Sequence, residues 1–169
     1  MMMYDMSRQY HAERIMSAAE RRRADDELGR MAARTSELWR RATRPVWVLR
    51  AVTSVEPGKV EMSLRHDDRF TQQHGFLHAG AVASVMDTAC GFAAFSVMPP
   101  DAAVLTASYT INLMAPAAGE RFTITGEVVR AGRTLVVCRG EAFADGGKRP
   151  FAVMQATMTA VHGKAGISG

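Results

Sequence analysis

The chain has 169 residues, 47% hydrophobic and 22% charged, enough for one domain with its own core and unlike a disordered composition. Two cysteines, Cys90 and Cys138, exclude a disulfide scaffold and a zinc site of three or four thiolates, and they fit a reducing cytoplasm. The net charge of +4 lies in residues 1–50, with 11 arginines against 7 acids; residues 51–169 carry 10 bases and 10 acids, so the body has no surplus for a nucleic-acid face.

Residues 7–43 are rich in Arg, Ala, Glu and Met, and Leu28, Met31, Leu38 and Trp39 recur at helical spacing. The expectation is a helix, solvated on most sides and ended by Thr43-Arg44-Pro45. A helix lying on a membrane surface or an anionic partner is the other reading, although its apolar face is thin. No signal-type apolar run follows Met1, and Asp5, Glu13 and Glu20 are unlike a transit peptide.

From Val46 the texture turns to β. Val46–Val52 is rich in β-formers, Glu56-Pro57-Gly58-Lys59 is a turn signal, and Val60, Met62 and Leu64 alternate with polar residues, so a hairpin is expected. Residues 66–78 form a polar loop with His66, His74 and His78. Ala79–Val97 follows, apolar on nearly every side and rich in small residues, which predicts a helix buried all round. Asp87 in its middle argues against a membrane span. Four strand-like runs, at about 103–114, 120–130, 133–144 and 149–161, are joined by short turns and read as an antiparallel meander.

The resulting expectation is an α+β fold, an antiparallel sheet of five or six strands wrapped around one long central helix. An arginine-rich helical extension (1–44) would precede the domain (45–162), and a flexible tail (163–169) would follow it.

Asp87 is the only charged side chain between His78 and Asp101. A carboxylate in apolar surroundings is costly unless paired. It is either a structural group satisfied by Ser84, Thr88 or backbone, or a functional acid in a cleft. The helix start offers a second element, because its first amides lack internal partners and small residues at Ala79, Gly80 and Ala81 leave them open. Such amides can stabilise an oxyanion. Gly80 to Asp87 spans roughly 10 Å of helix, too far for both groups to reach one atom. If both act together, the acid comes from a second subunit, which predicts a dimer with shared sites.

His74 and His78 stand four residues apart but flank Gly75 on a loop, which argues against a metal pair. Cys90 and Cys138 read as small core residues.

The pattern Gln72-x-x-Gly75-x-x-His78-Ala79-Gly80, six residues, then Asp87-x-x-x-Gly91, resembles the motif of hotdog-fold acyl-CoA thioesterases of the phenylacetate-pathway type. Leu105–Ala117 is similar to the strand after that family's helix, and Gly126 and Ala131-Gly132-Arg133 match its later hairpin. The resemblance implies hydrolysis of an acyl-CoA to free acid and CoA, with no cofactor beyond the CoA of the substrate. It places the general base or nucleophile on Asp87 and the oxyanion amide on Ala79, with Gly80 beside it. It places the orienting polar residue on Gln72, support of the thioester side on His78, and a water-placing hydroxyl on Thr106. Arg130, Arg133, Lys148 and Arg149 are candidates for the CoA nucleotide by charge alone. A cytoplasmic homodimer or homotetramer is the implied assembly. Two departures stand out: Ala79 replaces the family's usual glycine, and Gln72 its common asparagine. A hotdog hydratase or dehydratase pairing His74 or His78 with Asp87, and a non-catalytic acyl-CoA-binding module, are the alternatives.

Overall fold

The computed structural model describes residues 51–162, together with Asp26 and Arg30, which are helical. The rest of the expected extension, residues 46–50 of the first expected strand, and the tail 163–169 lie outside the described residues.

Two strands, β1 (Ala51–Glu56) and β2 (Lys59–Arg65), form the expected hairpin. Pro57 presets the turn, and Gly58 takes the positive φ of 74° that a side chain would strain. A polar loop with a short turn at Asp68–Phe70 leads into helix α1 (Ala79–Phe95). Then come β3 (Ala103–Leu113), β4 (Arg121–Ala131), β5 (Leu135–Ala144) and β6 (Ala152–Val161). All pairings are antiparallel, and the six strands are ordered β1-β2-β4-β5-β6-β3. One helix lies against one face of this sheet, which is the hotdog arrangement.

The period of two explains the sheet's inner face. Val60, Met62 and Leu64 of β2, Phe122 and Ile124 of β4, Val136, Cys138 and Ala142 of β5, and Ala152, Met154, Ala156 and Met158 of β6 are all buried. Against them α1 sets Val82, Val85, Met86, Ala89, Cys90, Ala93 and Ala94, spaced three and four apart. The closest approach falls at Gly126, where a Cβ would collide with the backbone of Ala89 and Cys90. Gly126 stands directly opposite Gly140 on β5, which a Cβ would press against the Cys90 sulfur. Two glycines side by side thus open the slot in which the helix backbone lies. Beyond it, the Ser96 hydroxyl donates to the Ala93 carbonyl and accepts the Gly58 amide (2.7 and 2.8 Å), tying the helix end to the hairpin turn.

Two expectations are corrected. The meander holds only for β4, β5 and β6, because β3 pairs with β6 at the far edge. The link from β3 to β4, residues 114–120, is long enough to return past two strands: seven residues reach about 23 Å, against about 14 Å across the sheet. The helix, too, is not buried all round. Gly80 and Ser84 are exposed and Asp87, Thr88 and Gly91 only partly covered, so one stripe of α1 faces outward beside β3. The small residues that make the stripe look like core also make it a surface another backbone can approach. β3 itself exposes Leu105, Tyr109 and Leu113, each close to half exposed, on an open edge.

Candidate active site

The loop before α1 is folded onto itself. Asp67 Oδ1 accepts the Arg69 amide, the His78 amide donates to the Phe70 carbonyl (2.7 Å), and Thr71 and Leu77 form a β-bridge. Inside that bridge the Gln72 amide donates to Phe76 and the Gly75 amide returns to Gln72, a turn closed by Gly75 at φ 78°. Gln72 is therefore held at a fixed point. Its Oε1 accepts the His74 amide at 2.8 Å. The Leu77 amide donates to Ala117, fixing the loop to the β3–β4 link.

His78 is the N-cap of α1. Its Nδ1 accepts the Gly80 amide at 3.0 Å, and its carbonyl accepts the amides of Ala81 and Val82. The proton of the neutral ring then sits on Nε2. This corrects the expectation that the amides of Ala79, Gly80 and Ala81 are all open: Gly80 is engaged by the cap's ring and Ala81 by its carbonyl. The Ala79 amide, first of the helix, has no acceptor among the described residues. Its residue lines a cavity of about 510 Å³ with Gln72, Phe76, Val82, Leu113 and Met114. Apart from Gln72 the lining side chains are apolar, so the cavity suits an uncharged acyl or methylene chain. On the other flank of the helix start lies a second cavity of about 370 Å³, bounded by Phe70, Thr71, His78 and Ser84.

Asp87 lies on the outward stripe, two turns further along, and is half-buried. Its Oδ1 accepts the Thr106 hydroxyl at 2.9 Å. Thr106 precedes a register shift in the β3–β6 ladder between Thr106 and Ser108, a bulge that turns the strand locally. Ser84 and Thr88 donate instead to the helix carbonyls of Gly80 and Ser84, so neither satisfies the carboxylate. Eight residues separate Ala79 from Asp87, about 12 Å along the axis, so within one protomer they do not converge. Cys90, one turn from Asp87, is fully buried, and burial pushes its thiol up to about 12; Cys138 is pushed up to about 11 by the same cause. Both are protonated core residues near neutral pH and no nucleophiles.

The four charge-selected candidates do not form one group. Arg130 and Arg133 sit at the β4–β5 turn, by the end of α1, whereas Lys148 and Arg149 sit in the β5–β6 loop at the other end. The length of β4, about 33 Å, separates the pairs. His74 gives its backbone amide to Gln72, and among the described residues no imidazole contacts Asp87.

Asp145 is a residue the sequence reading missed. It takes a positive φ of 46°, and its Oδ1 accepts the amides of Glu120 and Arg121 (3.0 and 2.9 Å), pinning the end of the β3–β4 link beside the site. Asp145-Gly146-Gly147 signalled a turn but not this reach across strands.

The profile of the thioesterase superfamily matches residues 74–151. A thioesterase family protein from Silicibacter pomeroyi is 44% identical, covering 79% of this chain and 99% of its own, with a TM-score of 0.73. A curated protein of Saccharolobus solfataricus that carries an esterase name is 34% identical over 86 residues, 51% of this chain; this chain spans 61% of that relative's length. The PaaI protein of the Escherichia coli phenylacetic acid degradation operon shares the fold, with a TM-score of 0.70, 19% identity, and coverage of 81% of this chain and 98% of its own. With a relative 44% identical over 99% of that protein's length, and the 74–151 match beside it, this chain belongs to the thioesterase superfamily.

Proposed function

We propose that the protein hydrolyses the thioester of an acyl-CoA, in a homodimer whose two active sites each draw on both subunits. The observation that carries this reading is the separation on α1 of an open Ala79 amide, facing an apolar cavity, from the Thr106-held carboxylate of Asp87 about 12 Å away. A second copy with its helix antiparallel to the first would bring the carboxylate of one to the amide of the other. The open edge of β3 and the outward stripe of α1 are the surfaces such a pairing would cover.

In that site the thioester oxygen takes the Ala79 N–H, and Gln72 orients the substrate side through its NH2. Asp87 of the other subunit accepts a proton from water as the water oxygen bonds to the carbonyl carbon. The C–S bond then breaks, the electron pair leaves with sulfur, and the proton on Asp87 passes to the CoA thiolate. Thr106, donating to Oδ1, leaves Oδ2 as the basic oxygen. His78 acts by capping the helix. Among the described residues no helix is long and apolar enough to cross a membrane, and the two reduced, buried thiols agree with a cytoplasmic setting.

The hydratase alternative would need an imidazole beside Asp87, but His78 spends Nδ1 on its cap and His74 contributes only backbone. Release of free thiol from a panel of short, medium and aryl acyl-CoAs tests the proposal. Turnover of at least one thioester, lost in Asp87→Asn, is the expected result; hydration of an enoyl-CoA with no thiol release would favour the alternative.

A further inference from the structure

Gln72 belongs to a hairpin loop whose base and tip are held by different means. At the base, Thr71 and Leu77 form a bridge, the Leu77 amide donates to Ala117, and the His78 amide donates to Phe70. The tip is Gln73-His74-Gly75, closed by the Gly75 amide donating to the Gln72 carbonyl at 2.9 Å, with Gly75 in the left-handed region at φ 78°. A single side chain reaches this tip from elsewhere in the fold: His66 Nε2 lies 3.1 Å from the Gly75 carbonyl oxygen. Among the described residues no other group donates to that carbonyl. A carbonyl only accepts, so Nε2 carries the proton. His66 is itself anchored to the sheet. Its amide donates to the Glu120 carbonyl at 3.0 Å, one step beyond the Arg65–Arg121 pair that ends the β2–β4 ladder. Its side chain is 22% exposed, so the ring is largely packed in place. Asp68 stands 3.7 Å from Nδ1 but is open to water and adds little to the hold.

We infer that His66 is a positioning residue for Gln72: its ring pins the tip of the loop and so sets the Gln72 side-chain amide at the wall of the cavity that Ala79 also lines. The inference rests on the acyl-CoA reading above for what Gln72 does there. Two bonds carry the position from the tip to Gln72. The Gly75 amide holds the Gln72 carbonyl, and the His74 amide holds Oε1 at 2.8 Å. Both donors lie in the turn that the His66 ring anchors. With Oε1 taken by a backbone donor, the NH2 is the end of the side chain left to donate to a substrate oxygen. Placement matters for such a group, because a shift of about 1 Å can cost about 10²-fold in rate. His66 stands outside the Gln72-to-Gly91 pattern, so nothing in that pattern assigns it a role.

The test is a double-variant cycle read by thiol release from an acyl-CoA that the wild type hydrolyses. His66→Leu keeps the bulk and removes the donor; kcat is expected to fall about tenfold with KM little changed, as for an interaction used in the transition state. His66→Gln carries an NH2 at the reach of Nε2 and should restore most of the rate. In the Gln72→Ala background His66→Leu should cost nothing further, because the residue it positions is gone. A purely structural role would lower the melting temperature and leave kcat of the folded protein as it was. Unchanged kcat in His66→Leu, a glutamine variant as slow as the leucine one, or the same loss with and without Gln72 each overturns the assignment. Should His66→Leu not fold, His66→Asn, polar but one methylene too short to reach Gly75, takes its place in the cycle with the same expectations. A wild type that hydrolyses no thioester contradicts the acyl-CoA reading, and the pinning of Gln72 is then decided by amide hydrogen exchange. Faster exchange at Gln72, His74 and Gly75 in the His66 variant, with the β2–β4 ladder unaltered, sustains it; unchanged exchange at those amides overturns it.

Discussion

The Thr106 hydroxyl donates to Asp87 Oδ1 at 2.9 Å, joining the edge strand of the sheet to the outward face of the central helix. That contact fixes one carboxylate oxygen and leaves the other open. Asp87→Asn keeps the shape and removes the base; kcat is expected to fall by about 10²–10⁴. Thr106→Val removes only the orienting donor and should cost about tenfold in kcat with little change in KM. Steady-state thiol release checks both. Equal activity of Asp87→Asn and wild type would refute the role of the carboxylate.

The Gly126–Gly140 slot makes a stability prediction that is independent of chemistry. Gly126→Ala drives a methyl group into the backbone of Ala89 and Cys90, which cannot swing aside. The expected cost is about 3 kcal/mol, a fall in melting temperature of about 10 °C. Gly140→Ala meets side-chain atoms of Cys90 and Met86 and should cost less. Calorimetry of the two variants side by side gives the order.

His78→Ala removes the acceptor for the Gly80 amide, whereas His78→Asn supplies another good cap. The alanine variant should lose about 1 kcal/mol of stability and the asparagine variant less. Activity should follow the cap: if His78 contacts substrate directly, His78→Asn will lose turnover with its stability intact.

Much of this arrangement was legible from residue pattern. The alternation of Val60, Met62 and Leu64, the turn at Pro57-Gly58, and the apolar run after His78 specify their elements through local sterics and period, and the structure has them. What pattern could not show is pairing. Strand β3 sits beside β6 because the 114–120 link is long, and a meander has the same local sequence. The stripe Gly80, Ser84, Asp87, Thr88, Gly91 reads as core because small residues suit both a buried helix and one awaiting a second backbone. The separation of Ala79 and Asp87 could be read from helical rise alone, but His78 as a cap could not, because an N-cap histidine has no special spacing.

The exposed edge of β3 carries the assembly expectation. Tyr109→Lys places a charge in the middle of the strand, at a position nearly half exposed in the single chain. Sedimentation should give a dimer or larger for the wild type and a shift toward monomer for the variant, with circular dichroism unchanged and thiol release lost. A wild type that is fully active as a monomer would remove the basis for shared sites.

The most direct measurement uses two variants, each inactive alone. Ala79→Pro deletes the open amide at the first helical position, where proline is tolerated and where His78 already has the extended backbone that precedes proline (φ −64°, ψ 137°). Its loss of an oxyanion donor should cost about 10²–10³ in kcat. Asp87→Asn deletes the base. When the two are unfolded together and refolded as mixed dimers, half the dimers are mixed and each of those has one intact site, so activity should return to about a quarter of the wild-type level. If the mixture stays as inactive as its components, the amide and the carboxylate do not meet across two subunits, and the account is contradicted.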